Sequence, residues 1–458
     1  KKKCTQYSLS LLASIASSYY LVLLFCLSSL VFKKKANRNL PDLRQRLTAT
    51  VLKTVSETLP LWIVRFLLNL FGKFEQFTNG ILMGKQRNQW CRRLEGGEGW
   101  NGYLIAENAN IVDVGEKADM IILYAHGGSF NIGGPLISLA VFVKWIKTWR
   151  HSHEANTHIL SLEYGLSPEH TFPTARDNML NCYQWLVNEK GISPSKIVFA
   201  GDSAGANISI IAALELLNNP ISYDVSHLPS SLLLISPCFS ALTTSQTFKT
   251  NYDCDYISKH WFDYCLTNYL GNSNLLPTCP LISPVFNRNL RGLPKMWICV
   301  GAYEVFLDDI TSFVDKVRSQ DVSVELVIEE DNMHNYAVVW PISRNGGAQK
   351  AVKYMSKFLY GEEFTIKDEA NEVTTKITNT PSEAINILYH QIYNGTIQYS
   401  EHGTTQYSGP AIMGFNNPFV VSNIGINISN NLQTSFTSSL LTKFGSDRCL
   451  VLQQLTEQ

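Results

Sequence analysis

Short apolar runs alternate with helix-like segments through the middle of the chain, and this alternation restricts the fold more than any other sequence feature. Six runs are short and rich in β-forming residues, as expected of strands buried in a parallel sheet. They cover Met120–Ala125, His158–Tyr164, Lys196–Ser203, Ser231–Pro237, Lys295–Glu304 and Val324–Glu330. Helix-like segments lie between them at Ala175–Lys190, Ala204–Leu217 and Asp308–Gln320. The pattern predicts an α/β fold with a mostly parallel central sheet, whose functional residues stand at the carboxyl ends of strands.

One predicted strand ends in the sequence GDSAG, Gly201–Gly205, which opens an apolar helix. It fits the pattern G-x-S-x-G, in which a serine stands on a tight strand-to-helix turn with its hydroxyl exposed. Small residues flank Ser203 because the two backbones approach closely at such a turn. The turn also directs the Ala204 amide toward a developing negative charge. We interpret Ser203 as a nucleophile; a small-residue turn without chemistry is the alternative.

A second glycine-rich turn, YAHGGSF, also follows a predicted strand. Its central residues are His126, Gly127, Gly128 and Ser129. The amides of Gly127 and Gly128 can donate to the same oxyanion as the Ala204 amide of the nucleophile turn. Removing one such donor lowers the rate of a reaction by a large factor. An ordinary glycine-rich loop is the alternative.

A serine hydroxyl is a weak nucleophile and needs a general base. In one recurring chain order, an acid and then a histidine follow the serine. His334, in EEDNMHNYAVV, comes directly after a predicted strand, and the other histidines that follow Ser203 lack this context. Glu304 is the first carboxylate after the preceding strand and is predicted to orient the His334 ring. Asp308 is the second candidate, although with Asp309 it is typical of the acidic first turn of a helix.

These motifs resemble those of the hormone-sensitive-lipase family of α/β-hydrolases, over Ile121 to Val339. HGGSF is similar to the family's HGGGF, GDSAGAN to its nucleophile motif and MHNY to the HGF around its base. YEVFLDD resembles the acid motif DPLRD, and LEYGLSPEHTFPTARDN resembles the segment DYRLAPEHPFPAA. The resemblance implies an α/β-hydrolase fold. By position it implies a triad and an oxyanion hole, formed by Ser203, Glu304 and His334 and by the amides of Gly127, Gly128 and Ala204.

Three positions depart from the family pattern. Ser129 replaces the third glycine of the oxyanion motif, and Ala206 replaces a second glycine after the nucleophile. Glu304 replaces the usual aspartate. A glutamate is compatible with the role, because the acid only orients the imidazole and stabilises the imidazolium.

The amino-terminal region contains a long apolar segment, Leu9–Phe32, without a charged residue. A helix of this length crosses a hydrocarbon core of roughly 30 Å. We expect a retained single-pass anchor, because the segment runs into the basic sequence FKKKANR; a cleaved signal peptide is the alternative. The flanking charges weakly place the rest of the chain in the cytosol. A second apolar segment, Leu59–Phe74, is expected to be an interfacial helix, a helix that caps an apolar pocket or a core helix.

Charge and cysteine spacing exclude several classes of protein. Lys+Arg and Asp+Glu each number 38, so nothing attracts the chain to nucleic acid overall. The ten cysteines show no CxxC and no zinc-type spacing, which argues against a structural metal site. Cys254, Cys265 and Cys279 could include a disulfide in an oxidising compartment, or carry free thiols. We expect no cofactor and no metal, and the sequence does not specify an oligomeric state.

The predicted organisation has four parts. They are a membrane anchor at 1–36, an amphipathic helical cap with leading strands at 37–117, the α/β-hydrolase catalytic domain at 118–360, and a polar, partly disordered extension at 361–458.

Within the family, the anchor makes the chain resemble fungal sterol deacetylases and arylacetamide deacetylases. That resemblance implies an endoplasmic reticulum membrane enzyme with a lumenal catalytic domain, against the weak charge bias, and makes Asn394 and Asn427 candidate glycosylation sites. The expected function is hydrolysis of a short acyl ester, an acetyl ester first, of a bulky apolar alcohol such as a sterol. The alternatives are a lipase acting on acylglycerols, an acyltransferase, or a ligand-binding member of the fold without catalysis. The presence of His334 counts against the last.

Overall fold

A computed structural model of the protein describes residues 41–68, 87–97, 99–219, 228–339 and 342–362. The predicted anchor, almost all of the polar extension, and the sequons at Asn394 and Asn427 lie outside these residues. Within the described ranges, no helix combines the length and the apolar character needed to cross a membrane.

Eight strands form one sheet in the order β1-β2-β4-β3-β5-β6-β7-β8. The strands are β1 Cys91–Glu95, β2 Asn101–Ile105, β3 Met120–Ala125, β4 Thr157–Glu163, β5 Ile197–Asp202, β6 Ser231–Ile235, β7 Lys295–Gly301 and β8 Val324–Glu329. Strands β1 and β2 pair antiparallel, as do β2 and β4, and all other pairs are parallel. The prediction of a mostly parallel α/β sheet is confirmed, and all six predicted strands form.

The helices lie between and around these strands. They are α1 Leu43–Thr58, α2 at 61–68, α3 Arg87–Trp90, α4 Leu139–His153, α5 Thr174–Gln184, α6 Ala204–Asn218, α7 Gln246–Thr250, α8 Lys259–Leu270, α9 Leu307–Arg318 and α10 Gly347–Tyr360. The predicted helix at Ala175–Lys190 is split, because α5 continues as a π-helical turn, Trp185–Glu189.

Each face of the sheet is covered by its own helices, because successive strand side chains point to opposite faces. On β3, Ile121 and Leu123 join a core cluster with α5, α6 and α9, whereas Ile122 and Tyr124 join a second cluster with α4 and α10. Helix α6 is buried on nearly all sides, which explains why its sequence lacks a polar face.

A smaller apolar cluster forms above the sheet. Leu61 and Val64 of α2 pack against Trp261 and Cys265 of α8. The opposite side of α2 exposes Trp62 and Phe66, at 67% and 62% of their surface. The described part of the segment Leu59–Phe74 therefore packs as a covering helix over α8, and the remainder lies outside the described residues.

Candidate active site

Ser203 stands at the sharp turn between β5 and α6. Its backbone has φ 53° and ψ −116°, a region that a residue with a side chain rarely adopts. The end of β3 leaves no room for larger neighbours. A Cβ at Gly205 would lie 1.9 Å from the Ala125 carbonyl oxygen, and one at Gly201 would lie 2.6 Å from it. Both glycines of the motif are therefore required by the close approach of backbone to backbone.

A continuous chain of hydrogen bonds joins Ser203, His334 and Glu304. Ser203 Oγ lies 2.9 Å from His334 Nε2, and His334 Nδ1 lies 3.0 Å from Glu304 Oε2. With the proton of the neutral ring on Nδ1, His334 donates to Glu304 and accepts from the Ser203 hydroxyl. All three side chains are buried. The three residues chosen from the sequence thus come together in an arrangement compatible with a catalytic triad.

The Glu304 carboxylate is held by more than the histidine. Its Oε1 accepts from the Gly301 amide and from Ser236 Oγ, both at 2.6 Å. Strand β7 ends at Gly301, three residues earlier than predicted, because the chain then turns to bring Glu304 under His334. Asp308, the second candidate, accepts instead from the Thr247 amide at 2.8 Å, at the start of α9.

The pKa of His334 results from opposing influences. Burial acts to lower it, but the hydrogen bond and charge of Glu304, with the charges of Asp255 and Asp202, outweigh burial and raise the pKa above its ordinary value. These acidic neighbours therefore stabilise the proton that His334 accepts, as a base that must carry a proton during a reaction requires.

Asp202 connects three segments around the nucleophile, a role that the sequence did not reveal. Its Oδ1 accepts from Tyr124 Oη at 2.8 Å and from the Gly127 amide at 2.9 Å. Its Oδ2 accepts from Asn335 Nδ2 at 2.9 Å, beside His334. Burial raises the pKa of Asp202, and these donors oppose the rise. The residue occupies the variable second position of G-x-S-x-G, so the motif carried no signal for it.

One amide of the glycine-rich turn, that of Gly127, has a different partner from the one predicted. The Gly127 amide, assigned to the oxyanion hole, is already bonded to Asp202 because the buried carboxylate needs donors. In the described part of the chain, no acceptor pairs with the amides of Gly128, Ser129 or Ala204. Ser129 and Ala204 line the same pocket as the nucleophile. The amides left for an oxyanion are therefore those of Gly128, Ser129 and Ala204.

His126 shapes this turn and does not reach the nucleophile in the contacts observed. Its Nδ1 lies 2.7 Å from the Gly127 carbonyl oxygen, and its ring stacks on Tyr164 at 4.3 Å between centroids. Burial lowers the pKa of His126 to about 4, so the ring is neutral at physiological pH. It holds the loop by packing and a hydrogen bond.

A small, mostly apolar cavity of about 20 Å³ adjoins Ser203. A space of this size holds about one water molecule. The wall of the cavity contains residues of the nucleophile turn, the glycine-rich turn, the loop after β6 and helix α8. Among them are Phe130, Cys238, Ile257, Phe262, Cys265, Leu266 and Phe306. Cys254, Cys265 and Cys279 carry free thiols in the structure. Among the residues described, no three His, Cys, Asp or Glu side chains are grouped to bind a metal.

Comparison with known proteins places this site in a family. The family model described as alpha/beta hydrolase fold matches residues 122–338. An esterase of Acinetobacter venetianus is 30% identical over 221 residues, which cover 48% of this chain and 68% of the esterase. The chain belongs to the α/β-hydrolase family. Arylacetamide deacetylase of Mus musculus is 23% identical over 275 residues, covering 46% of this chain and 67% of that enzyme.

Solved structures agree on the fold. A hormone-sensitive lipase from a metagenome library matches with a TM-score of 0.54 at 24% identity, covering 70% of this chain and 99% of that one. An esterase/lipase from an uncultured bacterium has the same TM-score and identity and covers 69% and 98%. The predicted hydrolase fold is confirmed. The predicted enzyme class, a carboxylic ester hydrolase, is confirmed by the esterases and deacetylases among the relatives.

Proposed function

We propose that this α/β-hydrolase cleaves carboxylic esters with Ser203 as nucleophile, His334 as general base and acid, and Glu304 as the orienting carboxylate. The observation that carries the proposal is the unbroken chain of hydrogen bonds from Ser203 Oγ through His334 to Glu304, at 2.9 and 3.0 Å. His334 Nε2 takes the Ser203 proton as the oxygen attacks the ester carbonyl carbon. The imidazolium then gives that proton to the departing alcohol, and water hydrolyses the acyl-enzyme by the same steps in reverse.

The negative charge of the tetrahedral intermediate is stabilised by backbone amides in this proposal. The amides of Gly128, Ser129 and Ala204 have no acceptor among the described residues, and Ser129 and Ala204 line the pocket that holds Ser203. Asp202 keeps the loop in place by bonding to the Gly127 amide. Hydrogen-bond donors that are already in position stabilise the developing negative charge without a rearrangement of the protein. A rigid loop therefore favours the reaction.

The substrate class in this proposal is a short acyl ester, an acetyl ester first, of a bulky apolar alcohol such as a sterol. The cavity beside Ser203 is small, at about 20 Å³, and this size favours a short acyl group. Its aromatic walls favour an apolar group. The similarity to arylacetamide deacetylase supports a small acyl group as well.

The proposed location is the endoplasmic reticulum membrane, with a single span at residues 9–32 and a lumenal catalytic domain. The uncharged apolar run and the resemblance to anchored deacetylases support this. Asn394 and Asn427 are proposed glycosylation sites on the same ground.

Acyl-chain preference tests the proposed substrate class. We expect acetyl esters to be turned over faster than butyryl esters, and octanoyl esters hardly at all, when the alcohol is kept the same. Phe262→Ala removes a ring from the pocket wall and should raise the butyryl-to-acetyl ratio of kcat/KM about tenfold, since one methylene is worth about 10–200-fold in a fitted pocket. The measurement is the initial rate of acid release from each ester.

Tyr264→Ala is the matched control, because Tyr264 lies on the same helix, is 41% exposed and does not line the pocket. It should leave the ratio unchanged. If the wild-type protein preferred octanoyl esters, the proposed deacetylase activity would be wrong and a lipase would be the better assignment. No turnover of any ester by folded protein would contradict the catalytic proposal itself.

A further inference from the structure

We propose that Ser236 is a positioning residue for the triad, whose hydroxyl holds Glu304 in register with His334. The inference rests on the proposed function and adds a residue to it. Ser236 is the first residue after strand β6 and is completely buried. Nothing in the sequence motifs singled it out.

The Ser236 hydroxyl makes two hydrogen bonds, and they join the acid to the base loop. It donates to Glu304 Oε1 at 2.6 Å and accepts from the Asn335 amide at 3.0 Å. Asn335 directly follows His334 in the chain. One oxygen atom therefore ties the carboxylate to the backbone that carries the imidazole, independently of the bond between the two side chains.

The backbone of Ser236 indicates that its side chain is needed. Its φ is 44°, in the left-handed region that favours glycine. A glycine would relieve the unfavourable conformation but would supply no hydroxyl. The amide of Ser236 donates to the Cys299 carbonyl at 2.8 Å, which fixes the chain in this conformation at the carboxyl end of β6.

A glutamate needs this support more than an aspartate would. Glu304 has one more rotatable bond, so its carboxylate has more orientations that miss the histidine. Ser236 Oγ and the Gly301 amide both hold Oε1, which leaves Oε2 directed at His334 Nδ1. Without the hydroxyl, Oε1 keeps a single donor, and the carboxylate can turn away from the ring.

The test is Ser236→Gly, which keeps the backbone conformation accessible and removes the hydroxyl together with the Cβ that carries it. We expect kcat for an acetyl ester to fall about tenfold or more with little change in KM, because a small misplacement of a catalytic group is costly. The acid limb of the kcat profile should also move to lower pH, because Glu304 supports the raised pKa of His334. If the variant only reduced the amount of folded protein, kcat would be lower at every pH and the acid limb of the profile would stay in place.

Ser240→Ala serves as control, since Ser240 is a buried serine of the same loop whose hydroxyl bonds to the Leu242 amide. It should keep the wild-type pH profile. A double-mutant cycle with Glu304→Gln adds a second criterion: Ser236→Gly should cost little more once the carboxylate is gone.

The inference would be overturned by a folded Ser236→Gly protein with wild-type kcat and pH profile. The inference would also be overturned if Ser236→Gly lowered kcat by the same factor in the Glu304→Gln protein as in the wild type. Such additivity would mean that Ser236 does not act through the Glu304 carboxylate. Failure of the wild-type protein to cleave any ester would contradict the proposed function instead, so the two failures are distinguishable.

Discussion

Replacing Ser203 with alanine should abolish acyl-ester turnover while leaving the fold intact. The side-chain oxygen is the only atom removed, and in the proposed mechanism it forms the bond to the acyl group. We expect kcat to fall by at least about 10⁴-fold, as when a nucleophile is removed from a set of residues that acts as a unit. The midpoint of thermal unfolding should stay within a few degrees, because alanine fits the same turn. Initial rates with an acetyl ester and a thermal melt measure both.

Ser209→Ala provides the control for this prediction. Ser209 is a buried serine of α6, the helix that follows Ser203, and its hydroxyl donates to the carbonyls of Ala200 and Gly205. Ser209→Ala removes a structural hydrogen bond, so it should lower the free energy of unfolding and have little effect on kcat. Retained turnover in a folded Ser203→Ala protein would rule out Ser203 as the nucleophile.

Replacing Glu304 with glutamine should lower kcat by about 10³–10⁴-fold and change its pH dependence. An amide cannot hold the imidazolium as a carboxylate does, and its NH₂ group can select the wrong tautomer of His334. In the wild type the raised pKa of His334 means that activity is lost, as pH falls, at a pH above the ordinary value. Burial alone lowers this pKa. Without Glu304 only the charges of Asp255 and Asp202 still oppose burial, so the pKa of His334 falls and the acid limb should move to lower pH.

The control is Asp308→Asn, which changes the other acid considered from the sequence. Asp308 bonds to the Thr247 amide, so this variant should lose some stability and keep the wild-type acid limb. The measurement is kcat against pH for both variants. A large loss of kcat in Asp308→Asn, with a near-normal Glu304→Gln, would show that the acid is misassigned.

Local sequence rules were sufficient for the central strands and for the position of the three reacting side chains. Buried parallel strands are apolar along nearly their whole length, so β3 to β7 stand out, whereas the edge strand β8 reads VELVIE, with two glutamates. Their carboxyl ends meet at one edge of the sheet, which brings Ser203, Glu304 and His334 together although 131 residues separate the first from the last.

Edge strand β1 and helix α4 were harder to predict. Strand β1 reads CRRLE, with charged side chains that are tolerated at an edge, so it lacks the apolar signal of the centre. Helix α4 packs Trp145 and Trp149 into the core beneath the sheet, yet the sequence analysis assigned no element there. Its amphipathic character becomes evident once the sheet supplies a partner.

Contacts between distant segments were beyond sequence rules. The Gly127 amide has the right neighbours for an oxyanion hole, but the Asp202 side chain reaches it from the next strand of the sheet. Ser236 lies 68 residues from Glu304 along the chain. Such hydrogen bonds depend on side-chain direction at the ends of neighbouring strands, which the strand pattern does not encode.

The most direct measurement is the mass of the Ser203 peptide after the protein is mixed with an acetyl ester and quenched in acid. We expect the peptide to gain the mass of one acetyl group on Ser203, and the gain to be absent from the Ser203→Ala protein. Turnover of the ester with no acylated Ser203 at any quench time, or acylation of another residue in its place, would show that Ser203 is not the nucleophile.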